Sequence, residues 1–121
     1  MLSAKQEQYL VEIYWSLNEE GFARVSQLAK SLNVSVPSAS KMSKKLKEEG
    51  LIDFQRYGII TLTENGEMLA KQLAVNHEVL SRFFQLIEVK EETIKEEVKK
   101  IEPYISSDVI QKLDTFLTKR D

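Results

Sequence analysis

Between Ser35 and Gly50 the chain reads SVPSASKMSKKLKEEG, and here residue types and spacing could do chemistry. Ser35, Ser38 and Ser40 supply hydroxyls that both donate and accept hydrogen bonds, and Lys41, Lys44, Lys45 and Lys47 supply ammonium donors. Written on a helix at about 100° per residue, Ala39, Met42 and Leu46 form one narrow inward stripe. Pro37, Ser40, Lys41, Lys44 and Glu48 fall on the opposite side, with Ser38, Lys45 and Lys47 on its flanks. That outer face is small where it begins and cationic in its middle. Duplex DNA is the ligand such a face fits: hydroxyls for base edges, ammonium groups for phosphate, and no bulk at the approaching end. On this reading Pro37, Ser38, Ser40, Lys41 and Lys44 enter a groove, and Ser35 and Lys45 meet phosphate. A lysine-rich helix face is also what a merely solvated surface looks like, so the neighbouring elements decide.

Those neighbours supply a frame. Ser35 caps the helix, Pro37 sits in its first turn where a missing N–H costs little, and Gly50 offers a left-handed stop. Upstream, residues 4–18 predict a first helix with Leu10, Ile13, Tyr14 and Leu17 on its core face, and Val25, Leu28 and Leu32 mark a short second one. Two short helices joined by the tight link Asn33-Val34, the second of them basic, have the pattern of a helix-turn-helix. Downstream, residues 51–56 and 59–63 are rich in β-branched and aromatic side chains, and Tyr57-Gly58 reads as the turn of a hairpin. This wing places Arg56 and Tyr57 at a tip, where they can reach phosphate or the minor groove.

Charge follows the same division. The chain carries a formal −2, yet residues 22–63 hold seven cations against three anions, while residues 1–21 and 64–121 are each net −3. Positive charge is confined to the segment with the basic helix and the wing, as expected when one surface meets a polyanion and the others do not. With no cysteine, one histidine and no phosphate-binding glycine loop, the sequence has few groups for catalysis, disulfides or thiolate metal sites. No apolar run approaches the roughly 18 residues of a membrane span, which leaves a cytoplasmic protein without a membrane partner as the expectation.

From Glu64 a long helix is predicted to Ile87, with Leu69, Leu73, Leu80, Phe83, Phe84 and Ile87 as its stripe. A second helix over 91–102 presents Ile94, Val98 and Ile101 before Pro103 ends it. A last helix, capped by Ser106 or Ser107, repeats Val109, Ile110, Leu113, Phe116 and Leu117. The fold class is mainly α: an N-terminal winged helix-turn-helix over 1–63, then a helical dimerisation domain over 64–121. So many apolar stripes call for a partner, and a second copy of the chain is the simplest; two heads related by a twofold axis read the half-sites of a palindromic operator.

Several of these segments resemble one family. Tyr9-Leu10-Val11-Glu12-Ile13-Tyr14, Gly21-Phe22-Ala23-Arg24-Val25-Ser26, Lys41-Met42, Leu62-Thr63 with Gly66, and Asn76-His77-Glu78-Val79-Leu80 look like the manganese transport regulator branch of the diphtheria-toxin-repressor superfamily, in order and spacing from about residue 5 to about residue 117. The resemblance implies a homodimeric, metal-responsive transcriptional repressor. It also implies a metal held between the first helix and the dimerisation helices, at positions that here carry Gln8, Val11, His77, Lys99, Glu102 and Pro103. Only His77 and Glu102 match. Gln8 lacks an anionic oxygen, Val11 and Pro103 lack ligand atoms, and Lys99 places a cation where a divalent ion belongs. No cofactor is then expected, with manganese or iron requiring a rearranged site in which Glu12 or Glu78 joins His77. Lys99, three residues before Glu102, is expected to pair with it and stand in for the ion, locking the protein without an effector. The alternatives to a manganese-independent DNA-binding regulator are a metal-responsive repressor with a displaced site around His77, and a winged helix used as a protein-interaction module.

Overall fold

The computed structural model describes residues 2–120, the side chains of Arg56 and Arg120 excepted. The chain forms two compact units, residues 1–71 and 72–121.

The first unit begins with α1 (Ala4–Glu20), closed at its N-terminus by a reciprocal box in which Ser3 Oγ accepts from the Gln6 N–H at 3.1 Å and Gln6 Oε1 accepts from the Ser3 N–H at 2.8 Å. Leu10 and Ile13 are buried as their spacing predicts, but the buried face is rotated toward Tyr9 and Ser16, leaving Tyr14 and Leu17 half-buried. Burial also pushes the Tyr9 phenol above the usual tyrosine range. A two-residue strand β1 (Ala23–Arg24) leads into α2 (Val25–Ser31), and after Asn33-Val34 comes α3 (Val36–Glu48). Then follow β2 (Ile52–Phe54), a 3-10 turn over Arg56–Gly58, β3 (Ile59–Leu62) and the start of α4 (Glu64–Leu86).

The hairpin is three-stranded rather than two-stranded. The order is β1-β3-β2, with Ala23 opposite Ile60 and Arg24 opposite Ile59 on one side, and Ile52, Asp53 and Phe54 opposite Leu62, Thr61 and Ile60 on the other. The wing tip is a three-residue turn closed by Gln55 N–H donating to Ile59 O at 2.8 Å, in which Tyr57 takes a left-handed φ of 64°. Leu10, Ile13, Val25, Leu28, Ala39, Leu46, Ile52 and Ile60 fill the interior of this unit.

Where the wing meets α4 the chain is tied to itself. Thr63 N–H donates to Leu51 O at 3.1 Å, Thr63 Oγ1 donates to Gly50 O at 2.7 Å and accepts from Gly66 N–H at 3.0 Å. Gly66 lies so close to Leu51 that a Cβ built on it would sit 1.8 Å from the Leu51 carbonyl oxygen.

The second unit contains the rest of α4, then α5 (Glu91–Ile101), a 3-10 turn over Glu102–Tyr104, and α6 (Ser107–Arg120). Its core is Val79, Leu80, Ile94, Val98, Ile110 and Leu117, with Phe83, Phe84, Val89, Ile101, Ile105 and Leu113 packed against it. Arg82 Nη1 reaches Asp114 Oδ1 at 3.3 Å, joining α4 to α6. Ser106 Oγ accepts from the Val109 N–H at 3.3 Å, so of the two expected caps for the last helix it is Ser106 that acts. The periodic stripe of α6 divides: Ile110 and Leu117 enter the core, whereas Val109 and Phe116 are each about half exposed. Val75 and Leu86 on α4 and Ile87 just past its end are also exposed. Among the described residues no helix is long and apolar enough to cross a membrane.

Candidate nucleic-acid interface and the inherited metal position

The cap of α3 is built from side chains that were expected to touch DNA. Ser35 Oγ accepts from the Ser38 N–H at 3.1 Å and donates to Ser38 Oγ at 2.8 Å. Its hydroxyl is therefore used internally, while the Ser38 hydroxyl, accepting that bond, keeps its own proton for an outside acceptor. Pro37, Ser38, Lys41, Lys44 and Lys45 are exposed, and Ser40 is half-buried. Replacing Ser35 by Ala is expected to cost about 1 kcal/mol of stability through the lost cap, read as a lower denaturation midpoint, whereas Ser38→Ala leaves the cap in place.

The buried side of α3 differs from the expected stripe at one position. Ala39 and Leu46 are fully buried, but their companion is Ser43 rather than Met42, which is only half-buried. Ser43 is tolerated inside because its hydroxyl donates to Ala39 O at 2.8 Å, so nothing polar is left unpaired. The lysines accordingly sit on a helix anchored along its opposite side, and their ammonium groups are free to meet a polyanion.

At the wing tip Tyr57 is 88% exposed, and its left-handed backbone holds the ring away from the sheet. The Arg56 side chain, expected beside it, lies outside the described residues. A cation that periodicity missed is Arg24, exposed on β1 and directly paired with Ile59 of the wing. In the sequence it was marked by its place in the positive segment and in the family-like run over residues 21–26, neither of which gave it a role.

In the second unit His77 Nδ1 lies 3.4 Å from Glu102 Oε2. That separation is long for a hydrogen bond, and the contact becomes an ion pair only when the imidazole is protonated. The Glu102 side chain is 9% exposed, and its Oε1 is buried without a hydrogen-bond partner. The expected pairing of Lys99 with Glu102 does not form: the carboxylate turns inward to α4, and Lys99 is exposed to solvent. Pro103 contributes no donor, and in the first unit Gln8 is half-buried and Val11 is buried. Among the described residues no three His, Cys, Asp or Glu side chains are placed to hold a metal ion, and Glu78 does not complete a site with His77 and Glu102. One imidazole and one carboxylate do not fit a manganese ion, which prefers an octahedral set of hard oxygen donors.

Comparison with known proteins accounts for both parts. Residues 1–60 match the family model of the iron dependent repressor N-terminal DNA binding domain, and residues 63–121 match the iron dependent repressor metal binding and dimerisation domain. The HTH-type transcriptional regulator MntR of Lysinibacillus sphaericus is 36% identical over 113 residues, covering 93% of this chain and 81% of the relative. The protein of the same name from Bacillus subtilis is 34% identical over the same length, with 80% of it covered. Among solved structures, the manganese regulator SloR superposes with a TM-score of 0.83 at 30% identity, covering 93% of this chain and 53% of that one. The chain thus spans about half the length of that structure. A hypothetical protein from Sulfolobus solfataricus gives a TM-score of 0.70 at 28% identity, covering 98% of this chain and 91% of the other. The family is made of regulators, which removes the enzyme reading. With a family model on each half and relatives above 30% identity across most of their length, the chain belongs to the iron-dependent repressor family and is a transcriptional regulator with a DNA-binding domain.

Proposed function

We propose that this protein is a homodimeric repressor that reads a palindromic operator in duplex DNA and does so without a manganese signal. The observation that carries the DNA reading is α3: a capped helix with its apolar side buried and Lys41, Lys44 and Lys45 exposed on the other. Residues 1–63 act as the reading head. Pro37, Ser38, Ser40, Lys41 and Lys44 enter the major groove, Lys45, Arg56 and Tyr57 meet the backbone beside it, and Ser35 acts mainly by holding the helix end. Residues 64–121 pair two heads. The exposed apolar side chains Val75 and Val109 favour a second copy as the partner, since water-facing groups of this size gain from being covered. The protein works in the cytoplasm.

Independence from manganese rests on the donor set. Where the family model is described as metal binding, the second unit brings His77 and Glu102 together, and among the described residues no third His, Cys, Asp or Glu joins them. Without a cluster of carboxylates there is no mutual repulsion for a divalent ion to relieve, and the head is competent as it folds.

A second reading keeps a metal at a displaced position, and it is favoured by the orphaned Glu102 Oε1 beside His77. One titration separates the two. Chelator-treated protein is expected to bind its operator with an affinity that added manganese changes by less than tenfold, while sedimentation at micromolar concentration shows a dimer throughout. A gain of tenfold or more on adding manganese would establish the metal-gated reading instead.

A further inference from the structure

Val36 is the first residue of α3, and it stands 51% exposed with exposed Pro37 next to it. The fold itself makes no use of a branched apolar side chain there. With Ser35 as N-cap, the two positions of a hydrophobic staple are Val34 and Ala39, which are half-buried and buried, and Val36 is neither of them. Valine also brings no gain in helix propensity, being restricted at χ1. Folding therefore leaves an apolar tip, Val36 with Pro37, on a helix whose exposed side is otherwise polar.

A ligand that suits this combination is polyanionic around its edge and carries an isolated apolar group inside. The major groove of duplex DNA has both, and the apolar group it presents is the C5-methyl of thymine. We infer that Val36 is a specificity-determining residue whose γ-methyl groups rest on a thymine methyl in each half-site, so that the operator carries thymine at that position. This deepens the DNA reading given above and rests on it. A lysine on phosphate contributes affinity for any duplex; Val36, having no charge and no hydrogen-bonding atom in its side chain, contributes only where a thymine methyl meets it.

The test uses the dimer as it exists and a duplex selected by it from a random pool. Each thymine of that duplex is replaced in turn by deoxyuridine, in both half-sites, which removes one methyl and leaves every hydrogen-bonding group in place. For the parent protein one replacement is expected to weaken binding about fifteenfold, since the apolar burial lost at each of the two half-sites is worth roughly fourfold. Val36→Ala is expected to bind the thymine and deoxyuridine duplexes within about twofold of each other, with the salt dependence of the parent, and Val36→Ile is expected to keep the preference. The inference is overturned if the parent is indifferent to deoxyuridine at every position, or if Val36→Ala retains the discrimination. Should the selection enrich no duplex at all, the DNA reading itself fails and this inference with it; the two failures are distinct, because the first leaves tight binding intact.

Discussion

The double variant Lys41→Ala, Lys44→Ala is expected to lose affinity for duplex DNA by on the order of a hundredfold or more at ~0.1 M salt, with its dimer and its unfolding midpoint unchanged. Each ammonium group that sits on phosphate releases close to one counterion, so at ~0.1 M salt it contributes just under a tenfold gain in binding. A homodimer carries four of these groups, which sets a ceiling of roughly three to four decades. Some of that is not realised where a lysine points to a base edge rather than to phosphate. The same arithmetic flattens the slope of log affinity against log salt by about three to four, a signature that loss of folding would not give. Stability is spared because both side chains are exposed and the buried side of α3 is made by Ala39, Ser43 and Leu46. The matching control removes Lys95 and Lys99, exposed on α5 in the second unit, and should leave both affinity and slope alone. An unchanged slope in the α3 variant would take this helix out of the interface.

How far the sequence could be read depended on whether a feature was local. The limits of α3 were legible because they are set by residues within it: the Ser35 hydroxyl bonding the Ser38 N–H, Pro37 in the first turn, and Gly50 with a φ of 76° just past the end. The lysine face followed from those limits and a fixed angular step. Ser43 was not legible as an inward residue, since a serine scores as polar whatever its surroundings, and what permits its burial is the carbonyl four residues back. Strand β1 was invisible for a different reason. Two residues cannot show an alternation, and Ala23-Arg24 becomes a strand only by pairing with Ile59 and Ile60, far along the chain. The stripes of α4 and α6 were visible as stripes, but which of their members face inward depends on where three helices meet. Hence Ile110 and Leu117 are buried while Val109 and Phe116 stay about half exposed. The metal position shows the same limit. Counting along α5 put Lys99 next to Glu102, yet the carboxylate turns to His77 on another helix.

Gly66→Ala is expected to unfold or severely loosen the first unit, at a cost of about 3 kcal/mol or more. Helix propensity alone predicts the opposite sign, because alanine in place of glycine inside a helix ordinarily gains ~1 kcal/mol. The two effects act at the same residue, and geometry decides between them. A Cβ at Gly66 would stand 1.8 Å from Leu51 O, 2.8 Å from its carbonyl carbon and 3.2 Å from its Cα. All three are backbone atoms, which cannot swing aside as the end of a side chain can. Relief requires α4 to lift from the start of the wing, and that lengthens the bonds from Thr63 N–H to Leu51 O, from Thr63 Oγ1 to Gly50 O and from Gly66 N–H to Thr63 Oγ1 together. Each is worth about 1 kcal/mol, so their loss alone offsets the propensity gain and more. Because Leu51 is also the residue from which β2 departs, lifting α4 displaces the wing relative to α3, and DNA affinity should fall along with stability. Trp15, the single tryptophan, lies in α1 of this unit, so its fluorescence during urea titration follows the affected part directly. Met68→Ala, at an exposed position two residues further along the same helix, should shift the midpoint by no more than about 0.5 kcal/mol. If Gly66→Ala instead raised the midpoint as propensity predicts, the close packing of α4 on Leu51 would not be what holds the wing in place.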